Sequence, residues 1–131
     1  MSRNRSRIAL LGLTLAGILG IACFSEHSPT GTDSSSLCTS PAGSVVNGST
    51  LAIIRAFSFQ TQNVTIQTGT TVTWVNCKTD GTAHTSTSDQ GVWASPLLPP
   101  GQAFTQTFDT PGVFPYHCEP HPFMTGTVTV Q

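Results

Sequence analysis

From Leu51 to its end, the chain alternates between short runs rich in Val, Ile, Thr and aromatic residues and shorter turn-forming segments. The runs are LAIIRAFSF, NVTIQ, TTVTWVN, AFTQTF, GVFPYHC and TGTVTV, and TG, KTDG, PLLPPG and DTPG lie between them. Such runs predict β-strands, and Pro and Gly interrupt every helical candidate from residue 37 onward. Short strands at this spacing predict an all-β fold, an antiparallel sandwich or barrel.

Alternation within these runs assigns side chains to the two faces of a strand. Val72 and Trp74 share one face of TTVTWVN. In GVFPYHC, Tyr116 and Cys118 lie on the inner face, and His117 points outward. We therefore expect Cys118 to point into the sandwich at the end of a strand.

The N-terminus predicts export. MSRNRSR carries Arg3, Arg5 and Arg7, and the run IALLGLTLAGILGIAC that follows has no charge. A basic segment before an apolar run of this size is typical of a secretory signal, here residues 1–22. A single membrane-spanning anchor is the alternative, although the run is slightly shorter than the roughly 20 residues that a bilayer span needs.

The end of this signal leaves two outcomes open. LGIAC resembles a bacterial lipobox, whose cysteine is lipidated and becomes the first mature residue, although Gly20 stands where Leu is usual. The polar, Pro/Gly/Ser-rich residues that follow suit a flexible tether over 23–37, before a folded domain over 38–131. The protein is then either held at the membrane by a lipid on Cys23, or cleaved nearby and free in the periplasm.

Few charges remain after the signal is removed. The strong bases left are Arg55 and Lys78, and six carboxylates oppose them: Glu26, Asp33, Asp80, Asp89, Asp109 and Glu119. The mature chain has no basic patch, which excludes nucleic acid as a partner.

Four cysteines in an exported protein each need an explanation, because a stray thiol oxidises there. Cys23 belongs to the signal or the lipid anchor, and Cys118 lies in the donor cluster described next. We therefore pair Cys38 with Cys77 as a disulfide. It would close a loop of about 40 residues and stabilise the fold by about 4 kcal/mol.

The segment YHCEPHPFMTG, residues 116–126, is the densest group of soft metal donors in the chain. Cys118, His121 and Met124 are spaced three apart, so a strand end leading into a tight loop can turn them towards one point. The candidate for a fourth donor is His84, which follows the TVTWVN strand, because His27 lies in the tether and His117 faces outward.

Two imidazoles, one thiolate and a weak thioether are the donor set of a blue copper site. Met1 is lost with the signal, so the only mature methionine falls where an axial ligand is wanted. Met124 as a core filler and Cys118 as a buried structural thiol are the plain alternatives. Zinc is a further one, although it has little use for a thioether.

These residues belong to a pattern that resembles the small bacterial cupredoxins of the plastocyanin/amicyanin group. FSFQTQNVTIQTGTTVTWVN and PPGQAFTQTFDTPGVFPYHCEPHPFMTGTVTV carry the resemblance over roughly residues 51–131, and CEPHPFM is a Cys-x-x-His-x-x-Met loop of amicyanin type. The resemblance implies an eight-stranded Greek-key sandwich with one copper near one end. It also implies His84, Cys118 and His121 as equatorial ligands and Met124 as the axial ligand.

The resemblance further implies how the site works. It places an apolar contact surface of Pro120, Pro122 and Phe123 around His121, suited to brief docking of redox partner proteins. Backbone N–H groups near His84 should donate hydrogen bonds to the Cys118 sulfur.

We therefore expect a monomeric carrier of single electrons that is not an enzyme. The alternative is a periplasmic protein that stores or delivers copper, but such proteins tend to expose Met- and His-rich tracts that this chain lacks. Copper enzymes built from cupredoxin domains need further histidines, and only His27 and His117 are left over. A plain β-sandwich adhesion module would leave the Cys/His/His/Met cluster unexplained.

Overall fold

The computed structural model describes residues 34–131, which form one 3₁₀ helix and nine strands. The helix is Ser34–Thr39, and the strands are β1 Val45–Val46, β2 Ser49–Arg55, β3 Ser58–Gln60, β4 Asn63–Ile66, β5 Thr70–Asn76, β6 Thr87–Ser88, β7 Ala103–Phe108, β8 Gly112–Cys118 and β9 His121–Val130. Within this range no helix is long and apolar enough to cross a membrane. The predicted signal, Cys23 and His27 lie outside the described residues.

The strands form two sheets, which confirms the predicted all-β sandwich. One sheet has the order β1-β2-β5-β7, with β3 also paired to β2, and the other has the order β4-β9-β8-β6. The predicted antiparallel pairing holds for five of the seven strand pairs, but β2 pairs with β5 and β4 pairs with β9 in parallel. Parallel neighbours need a crossover connection, and here each connection includes a strand of the opposite sheet: β4 between β2 and β5, and β5 and β7 between β4 and β9.

An aromatic cluster fills the space between the sheets. Trp74 is fully buried, stacks on Trp93 at 5.5 Å between ring centroids, and meets the edge of Tyr116 at 5.4 Å. Tyr116 in turn packs on Phe59 at 4.8 Å. The predicted inward faces of β5 and β8 are thus confirmed, since Val72, Trp74, Tyr116 and Cys118 all belong to this core.

The predicted run LAIIRAFSF is not one strand. It is divided into β2 and β3 by a tight turn at Ala56 and Phe57, whose φ angles are 46° and 56°. Residues other than glycine rarely adopt this left-handed region, so the sequence carries no sign of the turn. The turn places Phe57 at the end of the sandwich where β8 finishes and β9 begins.

Candidate metal centre

A tight hairpin brings together two of the predicted donors. Cys118 is the last residue of β8 and His121 the first of β9, and the two face each other in the register of this antiparallel pair. The Cys118 Sγ atom lies 3.6 Å from Nδ1 of His121. Alternation along β9 then turns Met124 inward, where it is fully buried.

His84 comes from the long connection after β5, which buried hydrogen bonds hold in place. The backbones of His84 and Leu98 exchange two hydrogen bonds, of 3.2 Å and 2.8 Å. The buried Asn76 amide donates to the carbonyls of Thr82 and Leu98, both at 2.8 Å, and its oxygen accepts from the Lys78 N–H at 3.0 Å. This network fixes the backbone that leads to His84 and the Leu98 backbone that pairs with it.

The three donors meet at the edge of the core, where His84 and Cys118 are fully buried and His121 is half-buried. Nδ1 of His84 lies 3.6 Å from the Cys118 sulfur, and one donor atom each of His84, Cys118 and His121 all lie within 4.8 Å of one another. Burial lowers the pKa of His84, and the charges on His121 and Lys78 act in the same direction. The neutral imidazole is the form that binds a metal ion.

Two hydrogen bonds of Thr85 hold the Cys118 sulfur and the turn that follows it. The Thr85 N–H donates to Sγ at 3.4 Å, which confirms the expected backbone hydrogen bond near His84. The Thr85 hydroxyl accepts from the Glu119 N–H at 2.8 Å, so the same residue holds the turn that follows Cys118. Outer hydrogen bonds of this kind orient a ligand and tune the metal it holds.

Phe57 is the site residue that sequence reasoning missed. Its ring meets the rings of His84 and His121 edge to face, with centroids 5.6 Å and 5.0 Å away. It also lies 6.4 Å from the ring of Phe123. Its role depends on the turn at Ala56 and Phe57, and nothing in the sequence marks that turn.

The surface around His121 is apolar. Phe123 is 72% exposed and Phe57 38% exposed, while Pro120 and Pro122 are exposed beside the half-buried His121. This surface contains the predicted contact residues and adds Phe57 to them.

The remaining predicted positions lie away from this cluster. Cys38 and Cys77 form a disulfide that joins the 3₁₀ helix to the residue after β5, with the two Cα atoms 5.5 Å apart. Cys118 is the free cysteine within residues 34–131. His117 is turned outward and pairs with the Asp89 carboxylate, so it is not among the clustered donors.

The donor set fits one soft or borderline metal ion. One thiol and two imidazoles converge at the end of the core, and a buried thioether follows three residues after the second histidine. Sulfur and imidazole donors select copper or zinc over the hard cations that prefer oxygen. The arrangement holds its donors rigidly, since two lie on a hairpin and the third on a hydrogen-bonded loop.

Comparison with known proteins agrees with this geometry. Residues 46–131 match the family described as copper binding proteins, plastocyanin/azurin family. Amicyanin of Paracoccus denitrificans is 33% identical over 95 residues, which cover 69% of this chain and 71% of the relative. Plastocyanin of Scenedesmus fuscus is 39% identical over 89 residues, which cover 58% of this chain and 89% of the relative.

Solved structures give the same result for the fold. The structure of a reduced point variant of amicyanin superimposes with a TM-score of 0.61 at 32% sequence identity. The match covers 69% of this chain and 89% of the amicyanin chain. An oxidised amicyanin variant matches to the same extent, also with a TM-score of 0.61.

Proposed function

Because the chain belongs to the plastocyanin/azurin family of copper binding proteins, we propose that it carries single electrons between redox partner proteins. Its cofactor is one type 1 copper, which supplies the change between Cu(II) and Cu(I). In this proposal the imidazoles of His84 and His121 and the thiolate of Cys118 would hold the copper, and the Met124 thioether would be its weaker fourth ligand. The protein acts as a carrier, with no substrate of its own to convert.

The convergence of His84, Cys118 and His121 within 4.8 Å is the observation that carries this proposal. Two of these residues are fully buried, so their donor atoms are held by packing and are shielded from water. A frame that keeps the same donor positions in both oxidation states lets an electron enter or leave with little rearrangement. Met124 supports the assignment because its buried side chain comes from the strand that begins with His121.

The apolar surface around His121 supports transfer to other proteins. His121 is half-buried, and the exposed Phe123 and Phe57 rings surround it. A small apolar contact suits an encounter that must form and dissociate quickly. We propose that a partner docks on Pro120, Pro122 and Phe123, and that the electron passes through the edge of His121.

The proposal includes an extracytoplasmic location. The Cys38–Cys77 disulfide is the kind of bond that persists in oxidising compartments. The basic and apolar N-terminal residues support export, with either a lipid on Cys23 or a free monomer as the mature form.

Absorption and EPR spectra after addition of Cu(II) test the ligand set. We expect an intense blue band and a narrow copper hyperfine splitting, both lost in Cys118→Ser, with the band shifted in Met124→Leu. The matched control is the double variant Cys38→Ala/Cys77→Ala, which removes the other two sulfurs of the described cysteines and should keep the band. A pale spectrum with ordinary copper splitting in the unmodified protein would contradict the ligand assignment.

Mixing experiments separate the carrier from a copper store. The carrier should exchange electrons rapidly between its oxidised and reduced forms while it retains its copper. Transfer of copper to a metal-free acceptor upon mixing, without electron exchange, would favour storage or delivery instead.

A further inference from the structure

A largely buried cation lies over the ring that contacts both histidines. The Lys78 side chain is only 9% exposed, and its Nζ atom lies 3.5 Å from the centroid of the Phe57 ring. The same Nζ atom pairs with Oδ2 of Asp80 at 2.8 Å. The hydrogen bond from Lys78 holds the pKa of Asp80 well below its usual range, so the carboxylate stays ionised.

The backbone at Lys78 is fixed on both sides. The Lys78 N–H donates to the Asn76 side-chain oxygen at 3.0 Å, and the Cys77 N–H donates to the carbonyl of Ile54 at 3.0 Å. The disulfide to Cys38 fixes Cys77 as well. The position of the ammonium group is therefore set by the fold and not by a freely moving surface chain.

The contacts of Phe57 set an upper limit on the distance between the Lys78 ammonium and the two proposed histidine ligands. Its ring centroid lies 5.6 Å from that of His84 and 5.0 Å from that of His121. Together with the 3.5 Å contact to Lys78, this places the ammonium within about 10 Å of both imidazoles, one Debye length at 0.1 M salt. Salt therefore screens the cation's effect on the site only partly.

The partner charge of Asp80 does not cancel this effect. The Asp80 side chain is 55% exposed, whereas the Lys78 side chain is 9% exposed. Water screens the carboxylate more strongly than the ammonium, so the pair leaves a net positive potential on the side of the histidines. Apart from Lys78, Arg55 is the only lysine or arginine among the described residues, and it binds the Cys38 carbonyl.

We propose that Lys78 raises the reduction potential of the copper site by favouring Cu(I) over Cu(II). This inference rests on the proposed function, since it needs copper bound by His84 and His121. Cu(II) carries one more positive charge than Cu(I), so a nearby fixed cation destabilises the oxidised form more. Lys78 is held beside the site by its contact with the Phe57 ring, and it acts on the copper through its electric field.

The expected effect is a change in the ratio of the Cu(I) and Cu(II) affinities. A unit charge about 9 Å from the copper ligands changes the ratio of the Cu(I) affinity to the Cu(II) affinity about two-fold if the dielectric constant is that of water. The change is about twenty-fold if the effective dielectric constant is about 20. Lys78→Met, which keeps the length of the side chain and removes the charge, should lower the ratio within that range. Asp80→Asn, which leaves the cation uncompensated, should raise the ratio.

Redox titration of the copper-loaded protein, together with competition for Cu(I) and Cu(II), measures both the potential and the ratio. Lys78→Arg should restore the value of the unmodified protein, because arginine keeps the charge and also stacks on an aromatic ring. Asp109→Asn is the matched control for Asp80→Asn. It makes the same change at an exposed residue just after β7, at the end of the sandwich opposite to Cys118, and should leave the ratio unchanged.

The opposite signs expected for the two variants separate a charge effect from a packing effect. A shift in the same direction for Lys78→Met and Asp80→Asn would overturn the inference, because loosening of Phe57 acts in one direction. Equal potentials in all variants with an intact blue spectrum would also overturn it. If Lys78→Met does not bind copper, the reduction potential of Asp80→Asn is compared with that of Asp109→Asn. A higher potential in Asp80→Asn supports the inference, and an equal or lower one overturns it. Absence of the blue spectrum in the unmodified protein would instead contradict the proposed function.

Discussion

Gly126 lies where the fold has no room for a side chain, which allows a sharp test of the packing described above. It faces Tyr116 directly in the register of β8 and β9. A Cβ atom at Gly126 would lie 2.4 Å from Cζ of Tyr116 and 2.5 Å from its hydroxyl oxygen. The ring cannot move aside, because Tyr116 is fully buried against Phe59 and Trp74.

The size of the effect follows from these contacts. Overpacking a core by a methyl group typically destabilises a protein by about 1–3 kcal/mol and sometimes by more. Because the obstacle at Gly126 is a rigid ring, we expect Gly126→Ala to lower the free energy of unfolding by about 3 kcal/mol or more. Without the clash, the same substitution in a strand would stabilise by about 0.5–1 kcal/mol.

Urea unfolding of the metal-free protein with its disulfide intact measures this loss. Gly112→Ala is the matched control in the same sheet, since its Cβ would meet only the half-buried Phe114 ring, at 3.1 Å. In a Tyr116→Leu background, Gly126→Ala should no longer destabilise and should stabilise by up to about 1 kcal/mol, because the clashing ring is gone. A loss below about 1 kcal/mol, or an equal loss in both backgrounds, would refute the reasoning.

Three further predictions concern Tyr116, the disulfide and Asn76. Burial raises the pKa of Tyr116 to about 12 from 10.0, so the unfolded chain loses this proton first. The free energy of unfolding should be unaffected below pH 10 and fall by about 2–3 kcal/mol between pH 10 and 12. Tyr116→Phe should abolish that fall, and tyrosinate absorbance reports it directly because the chain has one tyrosine. Cys38→Ala/Cys77→Ala, which opens a loop of sequence separation 39, should lower the free energy of unfolding by about 4 kcal/mol in urea; an unchanged urea midpoint would contradict this. Asn76→Ala removes the donor to the Thr82 carbonyl and one of two donors to the buried Leu98 carbonyl, so we expect the free energy of unfolding to fall by about 1–3 kcal/mol and copper binding to weaken in a competition assay. Unchanged copper affinity would show that this network does not position His84.

The sequence predicted those parts of the structure that are determined by residues close together in the chain. The alternating runs gave the longer strands and the inner faces of β5 and β8, and the turns between them gave the ends of β5 and β7 and the start of β8, whereas the short strands β1 and β6 lie outside the predicted runs. Cys118, His121 and Met124 are spaced three residues apart, and the tight hairpin between β8 and β9 turns them to the same end of the core. His84 is distant in sequence, and it was found because few histidines in the chain could compete with it.

The parts that the sequence did not predict depend on contacts between distant segments. The parallel pairing of β2 with β5 follows from how the chain crosses between sheets, and alternation within a strand contains no information about its neighbours. The turn at Ala56 and Phe57 requires two left-handed residues where no glycine marks the position. Local propensity was overruled there by the packing of Phe57 against the two histidines.

Rarity explains why the donors could be recognised from the sequence while the residues around them could not. A thiol, two imidazoles and one thioether are scarce side chains with narrow chemistry, so their spacing alone indicates a metal. Phenylalanine occurs seven times in the chain, and KTDG reads as an ordinary turn. Phe57 and Lys78 gain their significance only when β2 and β5 bring a ring and an ammonium to 3.5 Å beside the histidines. The identity of a metal can thus be read from a few ligands, whereas its reduction potential depends on common residues that only the folded structure brings near them.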